Sequence, residues 1–124
     1  MLRLVLVLGV GLWAQSGGLH VQPPQQDFGQ VKQGTIVKAR FTLVNQGPTP
    51  IQILEIKPSC GCSVVAWERR SLAPGDSLPV EVSFNTGGKV GRQRKTFTVF
   101  STASNSPTPF YLVGLVESEL PQHN

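Results

Sequence analysis

The sequence predicts an all-β protein built as a sandwich of two facing sheets. Apolar and polar residues alternate with period two in several segments, and Gly and Pro recur between these segments. No stretch after residue 18 shows the apolar spacing of an amphipathic helix. A chain of 124 residues fits one such domain. We expect about seven strands, in an order that the pattern does not fix.

The first residues have the composition of a secretory signal peptide. Arg3 provides a positive start, an apolar stretch runs from Leu4 to Trp13, and small residues follow up to Gly18. The apolar stretch is about half as long as the roughly 20 residues needed to span a bilayer. We therefore expect residues 1–18 to be removed and the rest to be exported, to the periplasm or outside the cell, with no stable membrane insertion. An uncleaved anchor helix is the alternative.

A short strand and a bend open the folded part. The strand runs from Leu19 to Gln22, and Pro23-Pro24 after it is incompatible with a central strand. The segment Asp27-Phe28-Gly29 predicts a bend that leads into Val31, with Phe28 packed in the core.

Two strands have the clearest pattern. The segment Thr35 to Asn45 and the segment Ser77 to Phe84 both alternate, which predicts one buried and one exposed face. The inward positions are Val37, Ala39, Phe41, Leu43, Leu78, Val80, Val82 and Phe84.

Four further strands complete the prediction: Ile51–Ile56, Ser63–Trp67, Arg92–Ser101 and Thr108–Glu117. In the third of these, Phe97 and Val99 are expected to face inward, and the last is apolar enough for burial on both faces. The sandwich is thus expected to span residues 19–117, followed by a polar tail at 118–124.

The charge distribution gives no sign of nucleic-acid binding. The formal net charge is +4, and the positive residues are dispersed. The densest basic stretch comprises Lys89, Arg92, Arg94 and Lys95, without interleaved aromatic residues. We interpret it as a solvated strand or hairpin end.

Cys60 and Cys62 are the chemically unusual pair in the chain. An exported protein seldom keeps free thiols, because they oxidise. Residues two apart come within disulfide range, and Gly61 between them accepts unusual backbone conformations. Three alternatives stay open: a structural disulfide, a reversible redox pair, and binding of a soft metal.

Copper(I) is the metal that would suit this pair, because it accepts few ligands and prefers sulfur. Zinc fits less well, since a closed structural site needs four protein ligands. The two histidines, His20 and His123, lie near opposite ends of the chain and are expected to be exposed. No cofactor is otherwise indicated.

Several short motifs together resemble one family. They are Phe28-Gly29, Gly34, the segment from Phe41 to Gly47, Ile51, Ile53, Ile56, Ser59-Cys60-Gly61-Cys62, the segment from Leu72 to Asp76, Val82, Phe84, Gly91 and Gly114. In order and spacing this resembles a bacterial family of exported domains of unknown function, domain of unknown function 1573. It is also similar to the Hydin-like and major-sperm-protein-like branch of immunoglobulin-like domains. The resemblance implies an immunoglobulin-like fold and export, and it supplies no catalytic residues.

Two functions are consistent with these observations. The first is a non-enzymatic binding or scaffolding module of the cell envelope with a protein partner, which an exposed opening strand or the strand Thr108–Glu117 would recruit by strand pairing. The second is a thiol-redox or copper(I)-handling protein that uses Cys60 and Cys62. We expect no enzymatic activity apart from that thiol chemistry, because no other catalytic constellation is visible.

Overall fold

A computed structural model describes residues 18–118, and within them every regular element is a β-strand. The strands are β1 (Leu19–Gln22), β2 (Gln25–Lys32), β3 (Ile36–Asn45), β4 (Ile51–Pro58), β5 (Ser63–Trp67), β6 (Ser71–Leu72), β7 (Ser77–Asn85), β8 (Gly91–Ser101) and β9 (Thr108–Glu117). The predicted signal peptide, apart from Gly18, and the tail after Ser118 lie outside the described residues. In the part that the structure describes, no helix is long and apolar enough to cross a membrane.

The strands form two sheets. The four-stranded sheet has the order β1-β3-β7-β5, and the five-stranded sheet has the order β2-β9-β8-β4-β6. The predicted all-β, two-sheet sandwich is therefore confirmed. The described residues contain nine strands where about seven were expected, because β2 and the two-residue β6 were not recognised as strands.

The alternating residues of β3 and β7 form the centre of the core. These strands pair antiparallel, and the inward positions of both are buried or half-buried, as predicted. Aromatic rings from both sheets meet between them. The ring centroid of Phe41, on the four-stranded sheet, lies 4.6 Å from that of Phe110 on the five-stranded sheet. The ring centroids of Phe110 and Phe97 are 5.1 Å apart. Ring contacts of this kind add to the gain from area burial.

The bend expected at Asp27-Phe28-Gly29 is wrong, because these residues lie within β2. This segment belongs to a strand that pairs parallel with β9, and the register shifts between Asp27 and Gln30. Gly29 has a φ of 82°, and its N–H donates to Asp27 Oδ1 at 2.8 Å. The turn residues therefore mark a bulge inside a strand, where glycine accepts the positive φ.

β9 lies inside its sheet, between β2 and β8, and is not an edge. It therefore cannot recruit a peptide by strand pairing, whereas β1 is an edge strand. One face of β9 is fully buried, at Phe110, Leu112 and Val116, and the other is half-buried. Gly114 on β9 allows the close approach of β2, since a Cβ there would lie 2.4 Å from the Phe28 ring.

Candidate functional site: the cysteine end of the sandwich

Three connections meet at one end of the sandwich, which we call the cysteine end: residues 33–35, 59–62 and 86–90. They follow β2, β4 and β7, which all terminate at this end. Thr86 joins two of them, because its N–H and its hydroxyl both donate to Thr35 O, at 3.1 and 2.7 Å.

The cysteine loop is held to both sheets. A disulfide links Cys60 to Cys62, with 5.3 Å between their Cα atoms. On one side Ser59 N–H donates to Thr96 O of β8 at 2.9 Å. On the other side Asn85 N–H of β7 donates to Cys62 O, also at 2.9 Å. The loop thus marks the place where the chain leaves one sheet and enters the other.

Hydrogen bonds within the loop order it further. Cys62 N–H donates to Cys60 Sγ at 3.1 Å, and Ser63 N–H donates to Cys60 O at 3.2 Å. Gly61 is not among the glycines with positive φ, and a Cβ there would meet nothing within 4 Å. The expected unusual backbone conformation at Gly61 is therefore wrong, and the loop does not need a glycine on this account.

A lysine lies against the core beside this loop. Lys95 has the same orientation along β8 as the buried Phe97 and Val99, and its Nζ lies 5.2 Å from the ring centroid of Phe84. Burial, and then repulsion from Lys89, lower the pKa of Lys95. The Cα partner of Phe84 on β5 is Ser63, whose buried hydroxyl has no hydrogen-bond partner among the described residues.

The basic stretch therefore divides between two faces. Arg92 and Arg94 are exposed on the outer face, with the Arg94 guanidinium 4.3 Å from the centroid of the Tyr111 ring. Lys95 lies on the inner face, which sequence reasoning missed when it assigned the whole stretch to solvent. Its even spacing from Phe97 and Val99 was the signal that could have placed it.

Three exposed apolar side chains also lie at the cysteine end. Ile36 begins β3, Val64 lies on β5 two residues after Cys62, and Val90 precedes β8. They are 51%, 64% and 59% exposed. Another large exposed apolar side chain, Leu54 at 52%, lies on β4 away from this end.

The structure does not bring a histidine to the cysteines. His20 is exposed on β1 and pairs with Val44, toward the other end of β3, and His123 lies outside the described residues. No group of three or more His, Cys, Asp or Glu suited to a metal ion occurs within residues 18–118. Copper(I) binding by Cys60 and Cys62 alone stays a prediction.

The aspartates in turn sequences have structural partners. Asp76 accepts a hydrogen bond from Arg70 Nη1 at 2.8 Å, and this bond is the largest of the effects that lower the pKa of Asp76. Asp27 accepts from Gly29 N–H in the β2 bulge.

Solved structures similar to this chain have related sandwich folds. A protein of unknown function from Porphyromonas gingivalis W83 has a TM-score of 0.67 and 17% identity, over 82% of this chain and 48% of that one. The ASH/PapD-like domain 7 of human CEP192 has a TM-score of 0.63 and 13% identity, over 86% and 89%. SSP-19, an MSP-domain protein like family member of Caenorhabditis elegans, has a TM-score of 0.53 and 16% identity, over 78% and 97%.

These likenesses support the immunoglobulin-like fold. The chain spans about half the length of the Porphyromonas protein. No curated protein matches the chain. The family model described as "Protein of unknown function (DUF1573)" matches residues 19–116, from the start of β1 almost to the end of β9. The chain therefore belongs to the DUF1573 family.

Proposed function

We propose that this protein is an exported, non-enzymatic binding module of the cell envelope, and that its cysteine end contacts a protein partner. The observation that carries the proposal is the exposure of Ile36, Val64 and Val90 around one end of the sandwich. Large apolar side chains that are exposed at one end of a domain are typical of protein interaction sites.

The disulfide supports this role because it orders the loop between the two sheets. Cys60–Cys62 closes a loop at the junction between β4 and β5, and the backbone bonds of Ser59 and Cys62 anchor it on both sides. A surface that is already ordered loses less conformational entropy on binding. The resemblance of the first residues to a signal peptide supports export.

Photo-crosslinking tests the proposed surface. Benzoylphenylalanine replaces Val64 or Val90 in the full chain expressed in its own host, and the matched control replaces Leu54, which is similarly exposed at 52%. We expect a discrete cross-linked species at Val64 and Val90, in the envelope fraction, and none at Leu54. Equal cross-linking at all three positions, or none at any, would contradict the proposal.

Thiol–disulfide exchange is a second candidate, favoured by the hydrogen bond from Cys62 N–H to Cys60 Sγ. A donor to sulfur stabilises a thiolate. In this reaction a dithiol partner would give two electrons and two protons to the pair and itself become a disulfide. We expect the pair to exchange with glutathione buffers at potentials between about −270 and −120 mV, the range of thiol–disulfide exchange proteins. A pair that never exchanges under these buffers would exclude the candidate, and anaerobic copper(I) titration of the reduced pair tests metal binding separately.

A further inference from the structure

One half of β8 has a neighbouring strand on only one side. β9 pairs with β8 from Gly91 to Val99, whereas β4 pairs with it only from Phe97 to Ser101. β4 ends at Pro58, and the chain then crosses to the other sheet through the cysteine loop. No other strand of residues 18–118 pairs with Gly91–Lys95. We call this segment the β8 edge.

The hydrogen bonds beside the cysteine loop show which backbone groups face the vacant side. Thr96 O accepts from Ser59 N–H at 2.9 Å, and Thr96 N–H donates to Ser59 Oγ at 3.2 Å. Both groups of Thr96 therefore point toward β4. Because alternate residues of a strand direct their backbone groups to the same side, those of Arg92 and Arg94 point to the vacant position beyond β4.

The side chains along this edge are positive. Arg92 and Arg94 are exposed on the outer face, and Lys57 near the end of β4 is exposed as well. The ion pairs that the structure contains within residues 18–118 both involve Arg70, so neither arginine of the edge is in one. An incoming residue opposite Arg94 would carry its side chain on the same outer face, which favours Asp or Glu there.

We propose that the β8 edge adds an extended strand of a protein partner, with acidic side chains opposite Arg92 and Arg94. The strand would lie in line with β4 and pair antiparallel with β8. Its backbone would hydrogen-bond to the N–H and C=O groups of Arg92 and Arg94, which β4 does not reach. The inference names the partner chemistry for the proposed binding function, on which it rests.

Another half-paired strand is a weaker candidate. β1 pairs only with Thr42–Asn45 of β3, which leaves the start of β3 open on that side. There, however, Gln26 Nε2 donates a hydrogen bond to Arg40 O and so occupies part of the edge. We therefore assign the site to β8.

Synthetic peptides test the assignment. The probe is an acetylated and amidated hexapeptide of alternating Val and Glu, added to the mature chain with its disulfide intact. We expect it to shift the amide NMR resonances of Arg92 and Arg94. Methylation of the Glu nitrogens should abolish binding, because those N–H groups face β8, whereas methylation of the Val nitrogens should preserve it. Equal binding of both methylated peptides would overturn strand pairing.

Charge variants complete the test. The double variant Arg92→Gln, Arg94→Gln should weaken binding roughly two- to thirtyfold, the range for two exposed ion pairs. The control Lys38→Gln, Arg40→Gln removes two charges from β3 and should leave the affinity unchanged. Loss of binding in the control alone would place the peptide on β3 and overturn the assignment. Cross-linking at Val64 without any peptide binding would reject this inference and leave the proposed function standing.

Discussion

Asn45 and Asn85 occupy the same local motif, Asn-x-Gly, but their side chains make different hydrogen bonds. Both side chains accept a hydrogen bond from the glycine N–H two residues later, at 2.9 Å in each case. The Asn85 side chain is exposed, and the bond that it accepts orders its own turn. Asn45 is fully buried and also donates to the carbonyls of Thr49 and Leu72, at 2.8 and 2.9 Å. It therefore joins the end of β3 to β6.

Replacing these two residues should separate the roles. Asn45→Ala leaves the carbonyls of Thr49 and Leu72 without their donor, so we expect the free energy of unfolding to fall by about 2–4 kcal/mol. Asn85→Ala should cost less than about 1 kcal/mol, because water can replace its bond. Urea unfolding measures both, and equal losses would contradict the distinction.

Single residues show where sequence reasoning reached its limit. Cys60 and Cys62 were recognisable from composition alone, since no other cysteine occurs in the chain. Lys95 was misassigned because the local density of charge was given more weight than its alternation with Phe97 and Val99. Arg92 and Arg94 could not be recognised as an edge, because that depends on where β4 ends, a property of another strand.

At the scale of elements, prediction succeeded where a strand carries its own pattern. β3 and β7 alternate along their whole length, and Ser63–Trp67 was predicted with the bounds of β5. β6 has two residues, too few for any period, and β2 contains a glycine that resembles a turn. The order of strands was not predictable, because pairing joins segments that are distant in sequence.

The stabilisation that Asp76 provides in the turn between β6 and β7 should be lost in acid. The Arg70 hydrogen bond lowers the pKa of Asp76 below its usual value of 3.8, so the pair stabilises the fold above that pH. The stabilisation is lost as the pH falls below 3.8 through the lower, folded-state pKa. We expect Asp76→Asn to lower the melting temperature at pH 7 and to have progressively less effect toward pH 2.

The matched control for this turn is Glu68→Gln. Glu68 is 80% exposed and lies 3.7 Å from the same arginine. An exposed pair at that distance contributes little, so the melting temperature should not change at pH 7. A pH-independent effect of Asp76→Asn would assign its role to packing instead.

At the scale of the molecule, the disulfide should contribute more to the order of the cysteine end than to the free energy of unfolding of the sandwich. Within residues 18–118 eighteen apolar residues are buried; neither cysteine is among them, and Cys62 packs only partly against this core. The loop that the disulfide closes is very short, so its loop-closure stabilisation is roughly 1–2 kcal/mol.

We therefore expect Cys60→Ala, Cys62→Ala to stay folded, with a free energy of unfolding lower by about that amount. Amide hydrogen exchange should accelerate in residues 59–63 and stay unchanged in β3 and β7. Global unfolding of this double variant at 25 °C would show that the disulfide holds the sandwich together, contrary to the view that the core suffices.

The position of β9 affects how the molecule is made. β9 lies between β2 and β8, and β2 pairs with no other strand of the described chain. The five-stranded sheet thus cannot be completed until β9 has left the ribosome, and such long-range pairing forms slowly. Under the proposed export, the chain would stay unfolded while it is synthesised, and an unfolded chain is what a translocation channel for unfolded polypeptides requires.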